Sequence, residues 1–321
     1  MKIGILGTGI IAGKMAETIN QMKNVRLYAV ASRTEDKARN FAETYNIPQY
    51  YGSYEALAAD SEIDLVYIAT PHSRHYQDAL LCLENGRNIL CEKPFAVNAV
   101  QAETIFELAE KKNLFAGEAM WTRFMPMRFT LDRILSENPV GRITSLTANT
   151  GYSIAGIKRI MYPELAGGAL LDVGIYPINF AVMVFGHNIT DIRSSCVKND
   201  FGVDMQNSII LTFDESRTAL LHSTVCADTD LMGIIYGEKG RIEFRNINNC
   251  QGIDVILNDG SRTEYLPPKK ISGYEYEVES ACNAVADGLS EYPEMPHNET
   301  VFILKLMDDL RRDWNIIYPF E

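Results

Sequence analysis

Apolar residues fall in two regimes along the chain. Over the first 120 residues they cluster in short runs at 2–6, 25–31, 64–70, 88–91 and 114–119. Between the runs lie polar stretches with apolar residues at helical spacing. In 34–45 these are Ala38, Phe41 and Ala42, and in 98–112 they are Ile105, Leu108 and Ala109. Thr34 and Asn98 stand where N-caps belong, and Gly86 stands where a helix over 73–84 would stop. Continuous apolar runs alternating with helices predict strands buried on both faces of a parallel, doubly wound sheet.

The pattern then changes. After a helix expected at 126–137, strand-like runs follow at 143–150, 191–197, 208–213, 218–225, 231–236, 241–244 and 254–257. Most are joined by short turns, which favours antiparallel pairing. Helices are expected at 175–185, 274–289 and 299–311. The fold class is therefore α/β: a doubly wound parallel sheet in a domain over 1–119, then an α+β domain over 120–321 with a large, mostly antiparallel open sheet. Few helices remain to cover that second sheet, so one face is expected to pair with a copy of itself. This predicts a homodimer or a dimer of dimers.

Length and charge narrow the classes. A chain of 321 residues suits two domains. The 42 acidic against 30 basic residues give a net charge of -12, which disfavours nucleic acid and anionic membranes as partners. No secretory signal is expected at the start, and no stretch is read as reaching the ~18 apolar residues of a membrane span, so a cytoplasmic location is expected. Six scattered cysteines without a CxxC pair signal neither a zinc site nor a disulfide framework.

Candidate chemistry sits where the runs end. The first run enters Gly7-Thr8-Gly9-Ile10-Ile11-Ala12, a GxGxxA turn between a strand and a helix. Gly7 permits the tight turn, Gly9 lets the backbone approach a pyrophosphate, and the small Ala12 allows close packing. Free N–H groups of Ile10 and Ile11 at the helix start suit the anion. This is the Rossmann dinucleotide-binding arrangement. An NAD site usually carries Asp or Glu at the end of the second strand. Here Ser32 and Arg33 stand there, with Lys37 one turn on, and all three suit a 2′-phosphate. NADP(H) is therefore favoured over NAD(H). The 64–70 run ends in Thr70-Pro71-His72-Ser73-Arg74-His75. Its HxxH spacing lacks a third ligand, so cofactor contact or helix capping is favoured over a metal. The 88–91 run leads into Glu92-Lys93-Pro94, where Pro94 keeps Lys93 out of helical geometry.

With Glu92-Lys93-Pro94 added to the glycine turn, the chain resembles the Gfo/Idh/MocA oxidoreductase family over its whole length. The stretch Gly117-Glu118-Ala119-Met120-Trp121-Thr122-Arg123-Phe124 is similar to the branch that contains dimeric dihydrodiol dehydrogenase and glucose–fructose oxidoreductase. Gly167-Gly168-Ala169-Leu170-Leu171-Asp172-Val173-Gly174-Ile175-Tyr176-Pro177 resembles the family's catalytic stretch. The resemblance implies Lys93 and Tyr176 as the catalytic pair, Asp172 as an accompanying acid, and Trp121 and Arg123 on the cofactor side.

Chemistry agrees with that pairing. Removing hydride from a carbinol needs a base for the hydroxyl proton, and a phenol with an ordinary pKa of about 10 is a poor one at neutral pH. A neighbouring lysine cation favours the phenolate. Asp172 and Tyr176 are four residues apart, which puts them on one face of a helix starting near Asp172. The expected function is hydride transfer between NADP(H) and a small polyhydroxylated substrate: a sugar, inositol or trans-diol. The alternative is a non-catalytic nicotinamide-binding sensor, which would have no need of Lys93 together with Tyr176.

Overall fold

The computed structural model describes residues 1–321. The chain begins with alternating strands and helices: β1 (Lys2–Leu6), α1 (Ile10–Ile19), β2 (Arg26–Ala31), α2 (Glu35–Tyr45), β3 (Gln49–Tyr51), α3 (Tyr54–Ala58), β4 (Leu65–Ile68), α4 (His75–Glu84), β5 (Asn88–Glu92), α5 (Ala99–Lys112) and β6 (Ala116–Ala119). There follow α6 (Pro126–Glu137), β7 (Ile143–Gly151), α7 (Lys158–Met161) and α8 (Ile175–Phe185). A run of strands comes next: β8 (Ile189–Lys198), β9 (Asp204–Phe213), β10 (Thr218–Thr224), β11 (Gly233–Gly237), β12 (Gly240–Arg245), β13 (Gly252–Leu257) and β14 (Arg262–Tyr265). Helices α9 (Glu275–Ala286) and α10 (His297–Asp313) complete the chain.

Two compact units result. The first is Met1–Phe124 with Lys270–Leu304, and the second is Met125–Lys269 with Lys305–Glu321. In the first, six parallel strands lie in the order β3-β2-β1-β4-β5-β6. The order reverses between β1 and β4, which is where such sheets bind ligands. The inner strands carry the apolar runs because both faces are covered: every residue of β4 is buried, as is every residue after the first in β1 and β5. Asn98 caps α5 as expected, accepting from Gln101 N–H at 2.9 Å. Thr34 occupies the cap position of α2 but makes no side-chain cap bond.

In the second unit, eight strands lie in the order β14-β13-β12-β11-β7-β10-β9-β8. β7 and β10 pair in parallel and every other pairing is antiparallel. Burial alternates along β9 and β10. Ile209, Leu211, Ala219 and Leu221 are covered, while Ile210 and Leu220, which are cross-strand neighbours, are 43% and 47% exposed. One face of the sheet is therefore open, as expected.

The segment Pro163–Phe185 is long and apolar enough to cross a membrane, but 89% of its most apolar window is buried within the fold. It contains α8, which packs on β7 and β10. Its apolarity serves the core of the second unit.

Candidate active site

β1 ends in a turn that only glycine permits. Gly7 has φ +106, and a Cβ there would sit 2.6 Å from the carbonyl oxygen of Ala69. Gly7 N–H donates to Ala31 O at 3.0 Å, tying the turn to the end of β2. Gly9 caps α1 with extended backbone, and a Cβ there would meet nothing within 4 Å. The first intrahelical bond beyond it is Gly13 N–H to Gly9 O at 3.1 Å. The N–H groups of Ile10, Ile11 and Ala12 thus have no acceptor within the helix. Ala12 is fully buried, whereas Ile10 is 83% exposed beside the turn.

Ser32 and Arg33 follow β2. Ser32 is buried with its hydroxyl 3.4 Å from that of Thr8, and Arg33 and Lys37 are exposed. Arg33 and Arg74 both act electrostatically on Tyr54, so a second cation shares this edge. No acidic residue stands at the end of β2.

The loops after β4 and β5 are braced together by one side chain. His75 is fully buried at the start of α4. Its Nδ1 lies 2.8 Å from Pro94 O and its Nε2 2.9 Å from Thr70 O. With both ring nitrogens facing carbonyls, neither lone pair is offered to a metal. Burial lowers the pKa of this imidazole. His72, half-buried in a short 3₁₀ turn, packs edge-on against His75. Pro71 is exposed, and Thr70 is buried with its hydroxyl oxygen unpartnered. Glu92, at the end of β5, accepts from the Tyr67 hydroxyl and from Lys93 N–H at 3.2 Å. Lys93 is half-buried and joined to Pro94 by a cis peptide bond. Beneath this loop, Glu118 accepts from Phe95 N–H at 3.1 Å and from the Thr300 hydroxyl at 2.9 Å. Burial pushes the Glu118 carboxyl up to about 6, against the charges of Arg123 and Lys93.

Trp121 and Arg123 form a short 3₁₀ turn after β6. Trp121 stacks on Tyr274, with centroids 4.4 Å apart and planes at 11°. Arg123 is 4% exposed and bonds Glu299 at 2.5 Å. Its guanidinium is therefore engaged inside the unit.

In the second unit, Asp172 lies within a single π-helical turn, Leu170–Gly174, that runs directly into α8. A π-turn inserts one residue into a helix and is found disproportionately at functional sites. The simple helical face expected for Asp172 and Tyr176 is thus modified. Asp172, 5% exposed, accepts from Arg159 Nη1 at 2.5 Å. Tyr176, 7% exposed, sits in the first turn of α8.

Several residues escaped the sequence reading. Arg159, Tyr67 and Glu118 are ordinary polar residues whose role depends on burial and partners. Glu277 on α9 is fully buried, and neither of its carboxyl oxygens has a hydrogen-bond partner. Burial, with Glu92 nearby, raises its pKa well above the ordinary value.

The fit to a dinucleotide can be judged on this geometry. The Gly7–Gly9 cradle would be narrowed by any Cβ at Gly9, the α1 N–H groups need an acceptor, and the Thr70 hydroxyl is buried without one. All three fit a bound nicotinamide dinucleotide.

Comparison with known proteins agrees. Residues 1–119 match the model of the GFO/IDH/MocA oxidoreductase family, NAD-binding Rossmann fold, and residues 130–243 match the GFO/IDH/MocA C-terminal domain. The trans-1,2-dihydrobenzene-1,2-diol dehydrogenase of Xenopus tropicalis is 35% identical over 328 residues, covering 99% of each chain. The human protein of that name is 29% identical, covering 99% of this chain and 98% of its own. Among solved structures, a 3-ketoreductase from Actinomadura kijaniata in complex with NADP and TDP-benzene aligns with TM-score 0.89 and 23% identity over 97% of each chain. An aldose–aldose oxidoreductase from Caulobacter crescentus, complexed with glycerol, aligns with TM-score 0.88 and 21% identity over 98% of this chain and 97% of its own.

Proposed function

The chain belongs to the Gfo/Idh/MocA oxidoreductase family and is an NAD(P)-dependent dehydrogenase or reductase of CH–OH groups; on that premise we propose that it moves hydride between NADP(H) and a secondary alcohol or carbonyl of a sugar, inositol or trans-diol. The observation that carries the cofactor choice is the end of β2. There Ser32 and the exposed Arg33 stand where an acidic residue would bind a ribose 2′-OH, with Lys37 one turn further. The NADP bound to the solved 3-ketoreductase supports this reading. The substrate class follows the relatives, which are named for trans-diols, and the structural neighbours named for a keto group and for aldoses.

In this reading Gly7, Gly9, Ile10 and Ile11 hold the pyrophosphate through the backbone. Thr70, Pro71 and His72 flank the cofactor, His75 fixes the loops that carry them, and Trp121 closes the cofactor side with Arg123 anchoring its turn. The bound nicotinamide supplies or accepts the hydride. Tyr176 takes the hydroxyl proton in oxidation and returns it to the alkoxide oxygen in reduction. Lys93 provides the cation that favours the phenolate and orients the substrate oxygen. Glu92 fixes the Lys93 backbone through its N–H bond. Asp172, held by Arg159, orients a substrate hydroxyl. We further propose a homo-oligomer formed through the open sheet face, and a cytoplasmic location.

The test is nicotinamide absorbance with NADP and NAD against a panel of trans-diols, aldoses and inositols, together with fluorescence titration of NADPH and NADH. Turnover on a panel member that falls by on the order of 10³-fold in Tyr176→Phe and in Lys93→Met, with NADPH binding kept, is the expected result. Full turnover in both variants overturns the catalytic pair. Tighter binding of NADH than NADPH overturns the cofactor preference.

A further inference from the structure

The π-turn carrying Asp172 is seated on a buried polar chain that the mechanism above does not use. Its first N–H, that of Leu170, donates to Asp204 Oδ2 at 2.8 Å. The same oxygen accepts from Asn207 Nδ2 at 2.8 Å. Asn207 Oδ1 in turn accepts from the Ser223 hydroxyl at 2.7 Å. Asp204 and Asn207 lie on β9, and Ser223 is the cross-strand partner of Asn207 on β10. All three are buried, none exposed by more than 3%.

The glycines around the turn are explained by this chain. A Cβ on Gly168, where φ is +116, would fall 2.3 Å from Asp204 Oδ1, and one on Gly174 would fall 2.9 Å from the Ser223 hydroxyl oxygen. The turn therefore closes directly onto Asp204 at one end and Ser223 at the other. A third contact holds its approach, since the Tyr318 hydroxyl donates to Gly167 O at 2.9 Å.

A buried carboxylate without a lysine or arginine in hydrogen-bond contact is costly unless N–H groups compensate. Burial pushes the Asp204 carboxyl up to about 6, opposed by the bonds from Asn207 and Leu170 and by the charge of Arg311. Such a group at a helix start satisfies an orphan N–H and matches the helix dipole. A cost of this kind is common where geometry must be held, and the residues held here are Asp172, inside the turn, and Tyr176, just beyond it.

We propose that Asp204, backed by Asn207 and Ser223, is a positioning residue for hydride transfer: it sets the π-turn and thereby the placement of Asp172 and Tyr176. This rests on the reading of Tyr176 as the proton-transferring residue. Buried and bonded to one another and to the turn, Asp204, Asn207 and Ser223 act through the turn in this proposal. Its loss should lower kcat while leaving binding in place.

The experiment compares Asp204→Ala, Ser223→Ala and Tyr176→Phe, and the double variant of Asp204→Ala with Tyr176→Phe, on the best substrate of the panel. Asp204→Ala is expected to lower kcat by on the order of 10- to 100-fold, with KM and the NADPH dissociation constant within about 2-fold. The double variant should be no slower than Tyr176→Phe alone, because both changes remove one function. If Asp204→Ala does not fold, Ser223→Ala, which leaves the carboxylate and removes the far donor, decides with a smaller kcat loss at unchanged KM. A wild-type kcat in the folded variants while Tyr176→Phe is slow, or losses that multiply in the double variant, would overturn the proposal. Full turnover in Tyr176→Phe would instead remove the reading on which it rests.

Discussion

The glycine turn allows a test that separates stability from cofactor binding, because its two glycines are required for different reasons. At Gly9 the backbone is extended and open, so Gly9→Ala adds a methyl that meets nothing within 4 Å. Alanine is a poorer N-cap than glycine by roughly 0.5 kcal/mol. The lower entropy of the unfolded chain returns about the same amount. Net stability should change by less than about 0.5 kcal/mol. That methyl nevertheless stands over the α1 N–H groups where a pyrophosphate must come close, and a loss of on the order of 100-fold in NADPH affinity, about 2.8 kcal/mol, is expected. At Gly7 the methyl lies 2.6 Å from Ala69 O, in backbone with φ +106. Gly7→Ala therefore carries about 1–2 kcal/mol of conformational strain, and the turn must shift by roughly 0.8 Å to restore normal contact. This variant should lose stability and affinity together. The assay is thermal unfolding with and without NADPH, beside a fluorescence titration. At 100-fold excess over its dissociation constant, ligand adds about 2.7 kcal/mol to the wild type. Gly9→Ala should melt like the wild type alone and gain almost nothing from NADPH. Wild-type NADPH affinity in Gly9→Ala would refute the placement of the pyrophosphate on this turn.

Two further predictions follow from burial. A carboxyl whose folded pKa is raised contributes stability that is present below its unfolded value and lost as pH rises through the folded one. For Glu118 that window runs from 4.5 to about 6, worth about 2 kcal/mol. Glu118→Gln should therefore gain about 2 kcal/mol on the wild type between pH 4 and pH 7 in denaturant titrations, and parallel profiles would refute the shift. On the open sheet, Ile210 and Leu220 lie side by side, bordered by Ser208, Thr212, Thr218 and His222. Leu220→Arg should reduce the mass seen by light scattering at micromolar concentration to that of one chain, and a wild-type monomer would end the oligomer reading.

The first unit was legible because its strands are buried on both faces, which forces continuous apolar runs bounded by glycine and cap residues. β3 and α3 were not legible. Three residues, Gln49–Tyr51, are too few to show a period, and Tyr54–Ala58 is barely more than one helical turn. β14 was missed because Arg262–Tyr265 is an exposed edge strand of polar residues. The return of Lys270–Leu304 to the first unit leaves no mark in local pattern, since an amphipathic helix such as α9 shows that one face is buried but not against what. The π-turn was equally invisible. The Asp172–Tyr176 spacing of four suits an ordinary helix, and the residues on which the π-turn rests, Asp204 and Ser223, lie far along the chain on β9 and β10.

The candidate site divides along the same line. Gly7, Gly9, Ser32, Arg33, Glu92 and Lys93 could be selected because each stands at the end of a readable strand, and strand ends on one edge of a parallel sheet converge. Position and residue type supplied the inference for the glycines, Ser32 and Arg33, and the family resemblance supplied it for Lys93. His75, Glu118 and Asp204 work differently: each is a titratable group taken out of water to hold backbone, His75 through two carbonyls, Glu118 through Phe95 N–H, and Asp204 through Leu170 N–H. Nothing in a sequence distinguishes such a residue from a solvated one of the same type, because the distinguishing quantity is burial, and burial is a property of the whole chain. A buried ionisable group costs several kcal/mol unless it is paired, so each of these three is informative once its environment is known. Each also fixes a loop or turn that carries a residue proposed to meet cofactor or substrate. Glu118 and Asp204, which sequence reading misses, are therefore supports of the parts it finds, as is His75, which it selects only as a cofactor-contact or capping residue, and substitutions in those supports should change turnover without changing which ligands bind.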